Sequence, residues 1–415
     1  MSKTDVIVIG SGFAGLIAAA ASVQRGKKVK ILTNGSGSFP LNSGLIDIMG
    51  YPDSRRACSS PKAGVDILPD THPYKKIGSE AIGAAMDFFI KLTQEEGYPY
   101  QGSLAAQQWV PTALGTMKPS GLVPKSMQGQ CCFNEKEIVV AGFKELKDYY
   151  PEVIIENLKT VLGTEKNYTS CVLETELGGG RDLTTVDIAR WLETEAGFAD
   201  FCRQIRSDLP KGSVVILPPV FGTKPSCDIF ERLQRELSCR FVESTGLPPS
   251  PTGLRLQKML HAYLRRHQVE IIENVKVMGS VTEGRRCTGV FVRNAAREQL
   301  HEANDFILAT GGFYGGGLQM QVFGEVKETI FSVPIKFAAT EETWANEELI
   351  SGSPQLFAKI GIDTDARLRP IGADGKCHLE NVFTAGRNLS GYDFCYEQSG
   401  NGVALVSAYQ AAMSI

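Results

Sequence analysis

Three glycines near the start of the chain, Gly10, Gly12 and Gly15, have the spacing G-x-G-x-x-G. An apolar, β-branched run precedes them at residues 6–9, and a run of small residues follows at residues 16–21. The pattern predicts a strand, a tight turn and a helix, which is the setting in which such glycines bind a dinucleotide. Gly10 allows the turn, Gly12 lets the backbone approach a pyrophosphate, and Gly15 lets the helix pack on the strand. The sequence therefore predicts a helix N-terminus that binds phosphate groups.

A second strand is predicted at residues 29–32, and its end lacks the side chain that normally completes such a site. An Asp or Glu about 20 residues beyond the glycines usually binds the adenosine ribose. Thr33 and Asn34 stand there instead, and neither offers the charge-assisted, two-point hydrogen bonding of a carboxylate. FAD held in an altered way, FMN, or a degenerate site all remain open from these residues.

Three later segments place glycines where a flat cofactor could approach the backbone. Residues 304–312 predict a strand that runs into Ala-Thr-Gly-Gly, and residues 380–388 contain Thr-Ala-Gly-Arg. Residues 400–402, Gly-Asn-Gly, open an alanine-rich final helix whose N–H donors could stabilise negative charge on a reduced flavin ring. The residues concerned are Thr310, Gly311, Gly386, Arg387, Gly400, Asn401 and Gly402.

The chain's length and composition limit the class of protein. Its 415 residues favour two domains, and a formal net charge of −3 gives no basic footprint for nucleic acid. The longest apolar run is too short to span a bilayer, and we expect neither a signal peptide nor direct membrane insertion. The ten cysteines include no C-x-x-C, so we expect no iron–sulfur cluster. No Cys/His set has the spacing of metal ligands, so we expect no metal site.

The elements between the motifs can be outlined from periodicity and helix-capping residues. Helices are predicted at residues 81–92, 186–201 and 254–267, with Thr184 or a neighbour capping the second. A single strand is predicted at residues 269–277. Residues 51–74, rich in Pro, Ser and charge, are predicted to be loop.

As a set, the glycine motifs resemble the flavoprotein superfamily of fumarate reductase and succinate dehydrogenase. The resemblance implies an α/β fold in which a Rossmann-like, GR2-type flavin-binding domain is split in sequence by an inserted α+β capping domain. The implied boundaries are residues 1–75 and 246–415 for the flavin domain and 76–245 for the capping domain. Substrate chemistry is then expected at the junction of the two domains.

Further segments resemble one branch of that superfamily, the B subunits of anaerobic glycerol-3-phosphate dehydrogenases. These segments are residues 42–47, 184–192, 217–222, 247–250, 253–257 and 309–317. The resemblance implies a flavoprotein subunit of a complex that oxidises glycerol 3-phosphate to dihydroxyacetone phosphate and reduces quinone. The implied partners are an FAD-containing catalytic subunit and an iron–sulfur subunit that anchors the complex in the membrane. We expect a cytoplasmic chain, held by its partners at the inner face of the cell membrane, that relays electrons or supports catalysis.

The chain departs from the superfamily pattern at the residue after Gly386. In that superfamily an acidic residue that binds the ribityl chain is usual at this position, and Arg387 stands there instead. With the ribose acid also missing, the sequence slightly favours FMN over FAD. The expected cofactor-binding residues are Gly10, Gly12, Phe13, Ala14, Gly15, Thr33, Asn34, Ser43, Gly44, Thr310, Gly311, Gly386, Arg387, Gly400, Asn401 and Gly402.

Catalytic residues are much harder to predict than cofactor contacts. Oxidising an alcohol on a phosphate ester needs a base and cations for the phosphate. Arg255 and Arg369 are weak candidates, and each is about as readily explained as a surface side chain. None of the five histidines lies in a recognisable catalytic setting.

Two alternative functions remain open from the sequence. One is a stand-alone FAD-dependent dehydrogenase or reductase that acts on a small anionic substrate. The other is a scaffold subunit whose flavin site has decayed, which Arg387 and the Thr33–Asn34 pair favour. The intact glycine motifs argue against the scaffold.

Overall fold

The computed structural model describes residues 4–52, 56–293, 297–322, 324–336, 341–348 and 352–415. Its α-helices are α1 (Phe13–Gln24), α2 (Pro61–Asp66), α3 (Pro73–Ile77), α4 (Ser79–Glu95), α5 (Cys131–Asn134), α6 (Pro151–Leu162), α7 (Thr185–Leu192), α8 (Glu195–Ile205), α9 (Asp228–Leu237), α10 (Pro251–Arg266), α11 (Gly312–Gly315) and α12 (Gly400–Ser414). Its β-strands are β1 (Thr4–Ile9), β2 (Val29–Leu32), β3 (Tyr100–Gly102), β4 (Gln108–Pro111), β5 (Met117–Ser120), β6 (Leu122–Pro124), β7 (Glu137–Phe143), β8 (Asn167–Leu173), β9 (Val214–Leu217), β10 (Arg240–Glu243), β11 (Glu270–Ile272), β12 (Lys276–Glu283), β13 (Arg286–Arg293), β14 (Glu298–Leu308), β15 (Leu318–Met320), β16 (Val326–Glu328), β17 (Ile335–Lys336), β18 (Gly361–Ile362) and β19 (Val382–Thr384).

The larger sheet is built from the two ends of the sequence. Its order is β11-β2-β1-β14-β13-β12, with β19 also paired to β14. Strands β11, β2, β1, β14 and β19 are parallel, whereas β12, β13 and the first half of β14 pair antiparallel. The long β14 therefore joins a parallel, Rossmann-like half to an antiparallel half.

Alternation along β1 decides what covers each face of this sheet. Val6 and Val8 join the core formed with helices α1, α4, α10 and α12, while Ile7 and Ile9 face the core on the side of β12 and β13. Successive side chains of a strand point to opposite faces, so a strand buried on both sides reads as a continuous apolar run. This explains why the run at residues 6–9 is unbroken by polar residues.

A second sheet lies in the middle of the sequence, with the order β10-β9-β7-β8. All three of its strand pairings are parallel, and α6 to α9 contribute to a separate apolar core around it. The sequence-based expectation of an α+β unit is therefore wrong for this sheet. Strands that alternate with helices form parallel pairs, because each helix provides the crossover between them.

Two predictions about helices need correction. Residues 51–74 are not all loop, because α2 begins at a Ser60–Pro61 start in which the Ser60 side chain accepts the Ala63 N–H. The helix predicted over residues 186–201 is two helices, α7 and α8, with Thr194 capping the second. They cross so closely that a Cβ on Gly197 would lie 2.2 Å from the Trp191 carbonyl oxygen.

The strand predicted at residues 269–277 is also divided. Asn274 has φ of 58°, a left-handed conformation that ends β11 and directs the chain into β12. The other predicted helices and strands are present, and β2 has the predicted bounds. Across the described ranges, no helix combines the length and the apolar character needed to cross a bilayer.

Candidate cofactor cleft

A cleft of about 700 Å³ opens at the carboxyl ends of β1, β2 and β14. Its walls are the turn after β1, the loop after β2, the start of β12, the loops after β14 and β19, and the first turns of α12. Parallel α/β sheets bind ligands at this edge, where the chain connections diverge and leave a crevice. The volume is in the range of small-molecule and cofactor sites.

Each glycine of the first motif has a distinct physical role in this cleft. Gly10 has φ of +109°, and a Cβ there would lie 2.3 Å from the Ala309 carbonyl oxygen. A Cβ on Gly15 would lie 2.0 Å from the Gly10 carbonyl oxygen, so this glycine serves packing. A Cβ on Gly12 would meet nothing within 4 Å. Gly12 is therefore unconstrained by the protein itself, as expected for a position that a ligand approaches.

The N-terminus of α1 faces this open space. Its cap residue, Gly12, provides no side-chain acceptor for the first-turn N–H groups, and Phe13 and Ala14 line the cleft. Uncapped N–H groups and the positive end of the helix dipole favour an anion at this position. The geometry thus suits the pyrophosphate of a dinucleotide.

The end of β2 has a hydroxyl network where the sequence lacks an acid. Ser11 Oγ lies 2.9 Å from Thr33 Oγ1, and both hydroxyls donate to the Gly35 carbonyl oxygen. Asn34 lines the cleft beside Val275 and Lys276. The cleft therefore continues past the glycine turn into the space where an adenosine would lie.

Asn388 connects two of the cleft-lining loops. Its Oδ1 accepts the Gly312 N–H at 2.8 Å and the Thr310 hydroxyl at 3.1 Å, and its Nδ2 donates to the Leu308 carbonyl at 3.1 Å. The side chain has no solvent exposure. A buried side chain with these contacts fixes the loop after β14 relative to the loop after β19.

Replacing Asn388 by alanine is expected to lower the free energy of unfolding by about 1–3 kcal/mol, because the buried Gly312 N–H loses its acceptor. The amount of bound cofactor should fall with it. Urea unfolding and the visible absorbance of the purified variant measure these two effects. Asn167→Ala is the matched control, since Asn167 makes an exposed side-chain hydrogen bond to Glu137. Equal stability of the two variants would contradict the anchoring role.

The first turn of α12 is held by a pair of amides. Asn401 Nδ2 donates to Asn42 Oδ1 and Asn42 Nδ2 donates to Asn401 Oδ1, each at 3.0 Å. Asn401 Nδ2 also donates to the Leu45 carbonyl. This arrangement joins the segment after β2 to the helix end that lines the cleft, and leaves the Gly400 and Asn401 backbone beside the open space.

Most of the expected cofactor-binding residues come together in the cleft. Those that line it are Gly10, Gly12, Phe13, Ala14, Thr33, Asn34, Thr310, Gly311, Gly386, Arg387, Gly400 and Asn401. Gly15, Ser43, Gly44 and Gly402 do not line it. Gly44 packs against Thr252, and a Cβ on Gly402 would meet the Asp47 carbonyl and the Tyr74 hydroxyl. These glycines shape the surrounding backbone, and their contact with a cofactor stays a prediction.

The two weak catalytic candidates lie elsewhere. Arg255 is 1% exposed and forms a two-point ion pair with Glu243, at 2.6 and 2.8 Å. Arg369 pairs with Asp365 at 2.7 Å near the surface. Neither lines the cleft, so ion pairing accounts for both. Within the described residues, no group of three or more His, Cys, Asp or Glu side chains could hold a metal.

Several residues of the cleft escaped the sequence-based prediction. They include Tyr314 of α11, Gln319 of β15 and Lys276 at the start of β12. Gly37 could have been predicted, because it lies between two serines in the short loop that follows β2. Its Cβ would lie 2.7 Å from the Gly12 Cα, so the loop after β2 crosses the glycine turn closely.

Comparison with known proteins identifies a family and several relatives. The sequence profile of the FAD binding domain family matches residues 5–403. The chain is 28% identical to the B subunit of the anaerobic glycerol-3-phosphate dehydrogenase of Vibrio cholerae, over 100% of this chain and 97% of that protein. The Pasteurella multocida protein of the same name is 27% identical, over 99% of this chain and 98% of that protein. A solved 3-ketosteroid Δ1-dehydrogenase from Sterolibacterium denitrificans overlaps it with a TM-score of 0.45 and 11% identity, covering 100% of this chain and 99% of that one.

The family match includes the glycine turn after β1, the loop after β14 and the start of α12. These segments are distant in sequence, and they form the walls of one cleft. The sequence match and the placement of the motifs lead to the same assignment. The chain belongs to the FAD binding domain family.

Proposed function

We propose that this chain is a flavin-binding subunit of an anaerobic glycerol-3-phosphate dehydrogenase that reduces quinone. The observation that carries the proposal is its similarity, over essentially the whole chain, to proteins named as the B subunit of that enzyme. The continuous cleft from the end of β2 to the start of α12 supports it, because a flavin needs such a site. The reaction in the proposal converts glycerol 3-phosphate into dihydroxyacetone phosphate.

The cofactor in this proposal is FAD. The cleft extends beside Asn34 to residues 275–277, which gives room for an adenosine that FMN lacks. Neither the family nor the cleft supports the sequence-based preference for FMN. The N-terminus of α1 would hold the pyrophosphate, and the first turn of α12 would lie against the ring. Bound there, FAD would supply the hydride acceptor that alcohol oxidation requires.

The proposed role of the chain is to relay electrons or to support a catalytic subunit. The relatives are named as one lettered subunit of their enzyme, which implies that their complexes contain at least one further subunit. In the proposal the partners are a catalytic subunit that contains FAD and an iron–sulfur subunit that anchors the complex in the membrane. The chain would then lie at the inner face of the cell membrane through these contacts.

We further propose that the second sheet belongs to a capping domain inserted into the flavin domain. The sequence-based limits for it are residues 76–245. Helix α4 packs on α12 and joins the first core. Tyr98 and Tyr100 also belong to that core. These contacts favour a first boundary after β3, with residues 1–102 and 246–415 in the flavin domain.

The identity of the bound flavin tests the proposal first. We expect the purified chain to carry about one FAD per molecule, released by acid and separated against FAD and FMN standards. Stoichiometric FMN would contradict the choice of FAD. A colourless protein that takes up neither flavin would contradict the proposal and favour a scaffold.

Turnover then tests the subunit role. The purified chain alone should not reduce a dye acceptor with glycerol 3-phosphate, whereas the chain assembled with its partner subunits should. The chain alone and the assembled complex should be compared at equal flavin content, which controls for loss of the cofactor. Turnover by the chain alone would favour a stand-alone dehydrogenase.

A further inference from the structure

The charges that line the cleft are few and of one sign. Among the described residues of its walls, Lys276 and Arg387 are the charged ones, and no carboxylate is present. Lys276 lies at the end beside β2 and is exposed, whereas Arg387 lies at the end beside α12 and is half-buried. A cleft of this kind attracts an anion and provides no negative group to repel it.

The side chain of Arg387 is held by two aromatic rings. Its guanidinium carbon lies 4.5 Å from the centre of the Phe394 ring and 5.4 Å from that of Tyr314. No carboxylate in the described parts of the chain pairs with it. Ring contacts engage the faces of a guanidinium and leave the N–H groups at its edge available for hydrogen bonds. Arg387 is thus oriented in advance, and its guanidinium donates no hydrogen bond to the residues that the structure describes.

The backbone around Arg387 is equally constrained. Gly386 has φ of +69°, and a Cβ there would lie 2.9 Å from the Ala14 Cβ, so the segment passes close to α1. The next residue, Asn388, is the buried anchor between the two loops. Gly400 and Asn401 line the same end of the cleft, at the N-terminus of a helix without a side-chain cap. Arg387 and this positive helix end would act on the same anion.

We propose that Arg387 is a phosphate-binding residue of this cleft. The proposal deepens the proposed function, because both ligands of that function carry phosphate: the pyrophosphate of FAD and the phosphate of glycerol 3-phosphate. The planar fork of an arginine matches a phosphate with two parallel hydrogen bonds. Arg387 therefore replaces a ribityl-binding acid with a group that recognises an anion.

The test compares wild type with Arg387→Gln in calorimetric titrations of the apo protein. Inorganic pyrophosphate, FAD and riboflavin, which has no phosphate, are the probes, and glycerol 3-phosphate is titrated into the flavin-loaded protein. Loss of one charged hydrogen-bonding group corresponds to about 10- to 100-fold weaker binding. Arg387→Lys should recover part of the affinity, since it restores the charge without the fork. Arg293→Gln is the control, because Arg293 forms a surface ion pair with Glu298.

The outcomes separate the two sources of phosphate. Weaker binding of pyrophosphate and FAD, with riboflavin unchanged, assigns Arg387 to the cofactor. Unchanged binding of FAD with weaker binding of glycerol 3-phosphate assigns Arg387 to the substrate. Equal loss of FAD and riboflavin, or no change with any probe, would overturn the proposal.

A further readout, the thermal midpoint of the apo protein, distinguishes phosphate binding from a purely structural role of Arg387. A structural role would lower the thermal midpoint of the apo variant and leave the binding of both pyrophosphate and glycerol 3-phosphate as in wild type, which would also overturn the proposal. If wild type takes up no flavin, the proposed function fails, and the pyrophosphate titration still decides the role of Arg387.

Discussion

Replacing Gly12 by alanine is expected to weaken FAD binding about 10- to 100-fold while the apo protein stays folded. The added methyl group would meet no protein atom within 4 Å, and the backbone there is extended, with φ of −68°. The cost to stability should be below about 1 kcal/mol, the scale of an unfavourable helix cap. The methyl would instead occupy the space that a pyrophosphate needs, and steric overlap of that kind costs about 1–3 kcal/mol.

The matched comparison is Gly15→Ala, three residues further along the chain, in the first turn of α1. Its Cβ would lie 2.0 Å from the Gly10 carbonyl oxygen, so the strand and the helix would have to separate. We expect a loss of about 3 kcal/mol in the free energy of unfolding. Thermal unfolding of the apo proteins and titration with FAD measure the two effects separately. Full FAD affinity in the Gly12→Ala variant would show that no ligand approaches this turn.

The contrast between these glycines also explains how much of the cleft could be predicted. The G-x-G-x-x-G turn is local, because its strand, turn and helix lie within 24 residues of the start of the chain. Apolar β-branched residues specify β1 and β2 on their own, and the helix follows from the small residues after the turn. Six of the twelve expected residues that line the cleft, Gly10, Gly12, Phe13, Ala14, Thr33 and Asn34, belong to this local unit or directly follow β2.

Residues that act through distant partners could not be predicted in this way. Asn388 accepts the N–H of Gly312, 76 positions away, and a single sequence does not show which chain segments meet. Arg387 is visible as a departure from a motif, but its two ring neighbours are not. The sequence indicates which residues are unusual, and only the fold shows what they contact.

The wrong predictions of helices and strands also have causes that are visible in the sequence. Ser60–Pro61 and Thr194 are ordinary helix starts, and periodicity alone extended one helix across Thr194. The parallel second sheet follows from alternating strands and helices. Of its helices, only the segment of α7 and α8 was predicted, as one helix, and α6 and α9 were missed. The pairing of β7 with β8 and β9 required the tertiary structure.

The buried ion pair of Arg255 and Glu243 carries the second large prediction. Arg255 belongs to α10, whose apolar residues join the first core, whereas Glu243 ends β10 in the second sheet. Glu243 also accepts hydrogen bonds from Ser126 and the Phe221 N–H, at 2.6 and 2.8 Å. Burial acts to lower the pKa of the Arg255 guanidinium, but Glu243 outweighs it and the pKa is raised. The pair therefore remains charged, and we expect it to hold α10 against the second sheet.

Glu243→Gln is expected to lower the free energy of unfolding by about 3–5 kcal/mol, the cost of leaving one partner of a buried pair uncompensated. The loss of stability in Arg255→Met should be smaller at low pH than at neutral pH, because the unpaired Glu243 carboxyl group can take up a proton. A guanidinium left unpaired could not release its proton in the same way. The double variant should be more stable than the sum of the single losses predicts. Urea unfolding of all three variants measures this coupling.

The control for this comparison of single and double variants is the exposed pair of Arg232 and Glu195. That pair has the same two-point geometry, with both contacts at 2.7 Å. Water solvates both of its partners, so Glu195→Gln should unfold like wild type. If Glu243→Gln also unfolded at the same urea concentration as wild type, the pair would not hold α10 against the second sheet. A large loss confined to the buried pair would instead explain why an arginine lies in a helix face that otherwise packs apolar side chains, because its charge is balanced by Glu243 at the end of β10.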